Sequence, residues 1–360
     1  MLPQPTRRVL TLDVTIPEAG RAKIRDNFSA IVLAGEHLWL GGDEGTMIDR
    51  MTVDSANNFS QHKRTNLGTF FPLVSKPNGE VSEVDIEGLH FDGGYLWFVG
   101  SHSLKRKKPE ADKTAGKNRE RLGKIEAERN RHTFARLPVD AAGNLAKSVG
   151  ALTAARLDGD AVGDQLTHSL RADKDYLDIF CAVPSKENGI DIEGLAVTGT
   201  RTFVGMRGPV LRGWAVILEF AWKDAGAGLL VIDGKIKKHF LQLDGLGVRE
   251  LAIEGKDLYI LAGPTMDLDG PVYIYRWRKA LENTTEALVW QKDLERVLAV
   301  PFGQGTSAGR DHAEGISLIA KSGGPLSVMI CYDSPADARL VKDHPELVAV
   351  DVFDIVGPLS

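Results

Sequence analysis

DIEGLHFDGGYLWFVG, residues 85–100, and DIEGLAVTGTRTFVGM, residues 191–206, are two copies of one pattern. Each is a short apolar run, a turn, and a second apolar run closed by glycine or a polar group. The first run is apolar at nearly every position, as expected of a strand buried on both faces. A hairpin of that kind cannot stand alone, and three more copies lie in register. They are NFSAIVLAGEHLWLGG from Asn27, GVRELAIEGKDLYILAG from Gly247 and HAEGISLIAKSGGPLSVMIC from His312.

The copies start at residues 27, 85, 191, 247 and 312, and the shorter steps suit four strands with their turns. After the hairpins come further strand candidates: TMIDRMTVD and HKRTNLGTF, HTFARLPVD and SVGALTAAR, AVILEFAW and KIKKHFLQL, PVYIYRWR and ALVWQKDL. The fifth copy is followed by LVAVDVFDI alone and is one strand short. The orphan RRVLTLDVT, residues 7–15, fills that gap and removes the open edge that would template aggregation. The expectation is an all-β, five-bladed β-propeller forming one domain over residues 1–360. Its blades are approximately 27–84, 85–190, 191–246, 247–311 and 312–360, the last completed by 7–15. A six-bladed alternative needs a repeat hidden in the long second interval.

Two insertions in blade two explain that interval instead. Residues 104–131 carry eleven basic and five acidic residues and few large apolar ones, which reads as a loop leading into an exposed helix. Residues 158–188 contain a helical stretch around AVGDQLTHSLRADKDYLDIF.

The chain's 360 residues are 43% hydrophobic with a net charge of −5, enough for a sizeable core and no general reason to meet nucleic acid or anionic membrane. Residues 1–20 lack a secretory pattern, and no stretch approaches the roughly 18 apolar residues of a membrane span. A cytoplasmic protein is expected. Cys181 and Cys331 lie in the apolar runs IFCAV and VMICY and read as buried thiols in strands.

In a propeller the innermost strand begins, and the next ends, at the mouth of the central channel. The register therefore brings Ser29, Glu87, Glu193, Arg249 with Glu250, and Glu314 around the axis. Asp43, Glu44, Ser101, His102, Arg207, Thr265 and Asp333 form an outer ring. Carboxylates converging at low dielectric need a cation or basic neighbours. Two readings stay open: a hard divalent metal, calcium ahead of magnesium or manganese, or glutamates that cap backbone amides while Arg249 and Arg207 neutralise them. Asp85 and Asp191 read as turn formers. His102 is a candidate acid or base, followed by the basic run Lys105, Arg106, Lys107 and Lys108. No nucleophile elbow, phosphate loop, dinucleotide fingerprint or zinc spacing is present.

The paired DIEGL motifs, the continuation YLWFVGSHSLKR and the late HAEGI resemble the domain-of-unknown-function 3616 family of bacterial proteins over most of the chain. That resemblance implies a propeller-like fold and no established activity. In motif and architecture the chain is also similar to the calcium-activated nucleotidases (apyrases), which implies a central calcium held at Ser29, Glu87, Glu193, Glu250 and Glu314. Strand starts of the E-G-L kind also occur in propellers of the lactonase and phytase-like kinds. The functional expectation is a metal-dependent hydrolase of a small anionic substrate, a phosphoester or nucleotide. Glu87, Glu193, Glu250 and Glu314 would hold the metal, Arg207, Arg249 and Lys105 would neutralise charge, and His102 would be acid or base. The alternative is a non-catalytic module that presents its basic insertion, residues 104–131, to a protein or anionic ligand.

Overall fold

A computed structural model of the chain describes residues 4–266, 268–320 and 324–359. Residues 321–323, in the turn of the fifth repeat copy, lie outside the described residues. Every copy of the repeat forms an antiparallel hairpin. Phe28–Ala34 pairs with His37–Gly42, Ile86–Asp92 with Tyr95–Gly100, and Asp191–Thr198 with Arg201–Leu211. Gly247–Glu254 pairs with Asp257–Gly263, and His312–Ile319 with Ser327–Asp333.

Each of the first four hairpins continues outward through two more antiparallel strands. These are Met47–Val53 and Phe59–Asn66, Phe134–Pro138 and Ala155–Leu157, Trp214–Gly226 and Leu229–Leu241, and Val272–Trp277 and Glu295–Val300. The last hairpin is followed by His344–Asp354, and its fourth strand comes from the other end of the chain. Thr6–Thr11 runs antiparallel to His344–Asp354, from Thr6 opposite Val352 to Thr11 opposite Leu347.

The five inner strands touch their neighbours in a closed cycle, 28–34 to 86–92 to 191–198 to 247–254 to 312–319 and back. The architecture is an all-β propeller. Its core lies between successive meanders: Trp97, Phe134, Val204 and Phe220 fill one interface, and Phe203, Ile260, Tyr275 and Trp277 the next. Such fully buried side chains each contribute about 1.5–3 kcal/mol relative to exposure.

The repeat motif now has a physical reading. In DIEGL the Ile and Leu are core residues, Ile86, Leu89, Ile192 and Leu195 all being buried. The glycine is required by close approach of neighbouring inner strands: a Cβ on Gly88 would lie 2.7 Å from Leu195 Cβ, and one on Gly194 2.8 Å from Leu251 Cγ.

Two local expectations change. ALVWQKDL does not supply the outer strand of the fourth meander. Leu288–Val289 instead pairs in parallel with Leu229–Leu241, and Glu295–Val300, whose Val297, Leu298 and Val300 are buried, takes the outer place. Cys181 sits half-buried in the 3-10 helix Asp178–Ala182 rather than in a strand, whereas Cys331 is a buried strand residue; both are free thiols. Within residues 104–131, Leu104–Arg106 pairs with Ile125–Ala127, and the helix Ala115–Leu122 lies between them. Among the described residues no helix is long and apolar enough to cross a membrane.

Candidate functional site

In every inner hairpin the register slips at the same place: between Phe28 and Ala30, Ile86 and Gly88, Ile192 and Gly194, Val248 and Glu250, and Ala313 and Gly315. The residues left in the bulges are Ser29, Glu87, Glu193, Arg249 and Glu314. A bulge adds one residue to a strand and re-aims its side chain. Arg249, not Glu250, is therefore the fourth member of the ring, and Glu250 stands where the other copies carry Ala30, Gly88, Gly194 and Gly315.

A cavity of about 440 Å³ opens at this end of the channel. Its wall includes Glu87, Glu193 and Glu314 from the bulges and Asp43, Glu44, Arg207 and Asp333 from the ends of the second strands. An alternating ion-pair chain crosses part of the floor. Arg207 binds Asp191 and lies 2.8 Å from Glu193 Oε1; Arg249 Nε lies 3.4 Å from Glu193 Oε2, and its Nη1 lies 2.6 Å from Glu314 Oε1. Asp85 is held similarly by Arg131, at 2.6 Å. The two aspartates read as turn formers thus face the cavity and anchor arginines, which is why aspartate begins both DIEGL copies.

The rest of the floor is less directly paired. Glu87 is 9% exposed, and among the described residues no hydrogen bond or ion pair engages its carboxylate. Burial, with Asp85 and Glu193 beside it, pushes Glu87 well above the usual carboxylate range. Burial with Asp85 and Asp333 does the same to Asp43, whose Oδ1 is buried without a hydrogen-bond partner. Burial also pushes Glu193 up to about 8, against the pull of Arg207 and Arg249. Asp333 completes this side: His312 Nδ1 lies 3.6 Å from its Oδ2, and the carboxylates Asp333, Glu314 and Asp269 raise the imidazole above its ordinary value against the effect of burial.

Above the floor lies a basic rim. Lys105, Arg106, Lys107 and Lys108 line the cavity together with Lys186 from the second insertion. Arg106 donates to both carboxylate oxygens of Glu187 from its Nε and Nη2 and so ties the two insertions together across the opening. Lys105 is 3.5 Å from Glu83 and Lys107 3.1 Å from Glu126, while no ion pair among the described residues holds Lys108.

Several residues expected at the mouth are committed elsewhere. The Ser29 hydroxyl donates to the Ile86 carbonyl. Glu250 Oε1 accepts from the amides of Leu195, at 2.9 Å, and Leu251, at 2.8 Å, so this carboxylate caps backbone between inner strands. Thr265 is not among the cavity-lining residues, and Ser101 pairs with Ser103, hydroxyl to hydroxyl, at 2.9 Å. Among the described residues, no three carboxylate, imidazole or thiol groups are arranged to hold a metal ion. With Ser29 and Glu250 turned away, and guanidinium groups on Glu193 and Glu314, the five residues Ser29, Glu87, Glu193, Glu250 and Glu314 do not fit a central calcium.

His102 is buried away from the cavity, in a left-handed turn at φ 54°. Its Nδ1 lies 2.8 Å from the Gly100 carbonyl and its Nε2 2.9 Å from Asp164 Oδ2. Asp164 also caps the helix Gln165–Ala172 by accepting from the Thr167 amide at 2.9 Å. His102 and its hydrogen bonds hold Asp164 near 2, in spite of burial that opposes ionisation. Asp164→Ala should destabilise the protein by about 3–5 kcal/mol in chemical denaturation, because a buried imidazole and a helix N-terminus lose their acceptor. The carboxylate is depressed in the fold, so its contribution is complete above the unfolded value near 3.8 and is lost as pH falls through about 2. The gap between wild type and the variant should therefore narrow in strong acid.

Arg131, Lys186 and Glu187 escaped sequence reasoning. Arg131 closes the basic insertion, 46 positions beyond its partner Asp85, and no local spacing connects the two. Lys186 and Glu187 follow a stretch read only as helical.

A family model described as "Protein of unknown function (DUF3616)" matches residues 27–351. No curated protein matches the chain. Among solved structures, GH43B of a Bacteroides ovatus xyloglucan PUL aligns over 96% of this chain and 53% of its own at 9% identity and TM-score 0.42, so the chain spans about half of that protein. A GH43 β-1,3-galactosidase with galactodeoxynojirimycin aligns over 92% and 90% at 9% identity and TM-score 0.42. A luciferin-regenerating enzyme aligns over 98% and 97% at 8% identity and TM-score 0.38.

Proposed function

We propose that this chain, which belongs to the DUF3616 family of proteins of unknown function, is a cytoplasmic five-bladed propeller, its last blade completed by the N-terminal strand, that hydrolyses a small anionic substrate at the channel mouth. The substrate is a phosphoester or nucleotide-like molecule. The observation that carries this reading is Glu87, nine-tenths buried, without a hydrogen bond or ion pair among the described residues, and facing a 440 Å³ cavity beneath a lysine-rich rim. A carboxyl that burial and neighbouring carboxylates push well above its usual range holds its proton more readily than a free glutamate, as a general acid must.

In this reading the anionic end of the substrate rests against Lys105, Lys108 and Arg207, which lower the cost of charge gathering on the phosphoryl oxygens. Hydroxyl groups of the substrate donate to the unpartnered oxygens of the floor, Asp43 among them. Water attacks phosphorus while Asp333, beside His312, takes its proton. The bond from phosphorus to the leaving oxygen breaks, and Glu87 gives that oxygen its proton. No step requires a metal.

Turnover of a panel of phosphomonoesters, phosphodiesters and nucleotides, by the wild type and by Glu87→Gln, tests the proposal. Lys105→Ala combined with Lys108→Ala should raise KM about tenfold, roughly 1.4 kcal/mol of binding. The effect should shrink with added salt, with kcat little changed and melting within about 2 °C of wild type, because exposed ion pairs carry little stability. The second reading, a non-catalytic anion-binding module, is favoured by the pairing of much of the cavity's charge within the protein itself. It predicts the same loss of affinity with no turnover by any variant.

A further inference from the structure

The fourth bulge is the exception in the ring. Where three copies place glutamate and one places serine, this one places Arg249. Its guanidinium sits between Glu193 and Glu314, bulge residues of the two flanking meanders, and donates besides to the Pro264 carbonyl at 3.1 Å. Arg249 is 8% exposed and Glu193 3% exposed, so this is an interior bridge rather than a surface pair. Arg207 continues it to Asp191. The chain Asp191, Arg207, Glu193, Arg249, Glu314 alternates in sign at every step.

Converging buried carboxylates require positive charge close by, and it can come from a bound ion or from the protein. We infer that Arg249 is the built-in counter-cation of this ring: it takes the place a divalent ion would occupy between Glu193 and Glu314, and the channel mouth is stable without a metal. The geometry favours arginine for the task. A planar guanidinium presents several donors in fixed directions and can hold two carboxylates on different strands at once, whereas a lysine ammonium would be a single point charge. The bulge matters equally, because a one-residue slip would have aimed Glu250 at the mouth and buried the arginine between strands. The assignment holds whether or not the cavity turns over a substrate.

The test is thermal unfolding in EDTA and in calcium, magnesium or manganese at matched ionic strength, on wild type, Arg249→Gln and Arg249→Lys. Wild type should melt within about 1 °C in all four solutions, since a ligand raises the midpoint only if the folded state binds it. Arg249→Gln should melt about 5 °C or more below wild type in EDTA and recover part of that loss with a divalent cation. Arg249→Lys, which keeps a charge, should lose less and gain no cation response. A saturable, metal-specific rise of several degrees in wild type that disappears in Glu193→Gln would overturn the inference. So would a folded Arg249→Gln that is indifferent to every cation. Should Arg249→Gln fail to fold, wild type and Arg249→Lys decide: a cation response in either rejects the assignment, and its absence in both supports it.

Discussion

A chain beginning at Asp13, without the strand Thr6–Thr11, should fail to hold its ring. That strand gives the last meander its fourth member, paired over six positions with His344–Asp354. It also brings Leu10, fully buried among Phe59, Val348 and Val350, and the adjoining Leu12 is 1% exposed. Truncating one such leucine costs about 2–5 kcal/mol, and the deletion removes both together with the ladder, against a total stability of about 5–15 kcal/mol for a typical domain. The outer edge of His344–Asp354 would then lie bare, a template for pairing with other chains. The expected result is loss of the cooperative melt and high-mass species in size-exclusion chromatography. A monomer with an unchanged melting midpoint would show that the N-terminal strand is dispensable to closure.

Glu87→Gln should lower turnover by about 10²–10⁴-fold, the usual worth of a positioned general acid, while the fold survives. Glutamine keeps the shape and the neutral charge of the protonated acid but has no acidic proton to give. Stability should move the other way. Glu87 is raised in the fold, so between the unfolded value near 4.5 and its folded value the native state holds a proton that the unfolded chain releases. Wild-type stability is therefore reduced as pH rises through that window. The variant escapes this cost and should melt above wild type at pH 7.5, the difference closing as pH falls toward 4.5. Equal melting of the two at pH 7.5 would mean that burial does not raise Glu87 in the fold.

Much of the architecture was legible because the hairpin copies state their own burial: a strand apolar on both faces, a turn, and a glycine that lets adjacent inner strands approach. The mouth was legible in part for the same reason, since strand starts and ends must converge on the axis. The choice between Arg249 and Glu250 was not. R-E-L and E-G-L can be aligned with either residue in the ring, and only the bulge, a feature of pairing rather than of composition, places the arginine there. His102 was misplaced because a left-handed turn at that residue swings the imidazole toward Asp164, some sixty positions away in sequence. The outer strand of the fourth meander was read one segment early, since Leu288, Val289 and Trp290 look as strand-like as the residues that follow and differ only in which neighbour they meet.

The most direct test is steady-state turnover of the phosphoester and nucleotide panel by wild type and Glu87→Gln in EDTA, alongside circular dichroism of both. Metal-independent turnover of at least one substrate by wild type, lost in a Glu87→Gln protein with an unchanged spectrum, is the predicted result. A wild type that turns over nothing, or a Glu87→Gln variant as active as wild type, would contradict the assignment of the channel mouth as a hydrolytic site with Glu87 as its acid.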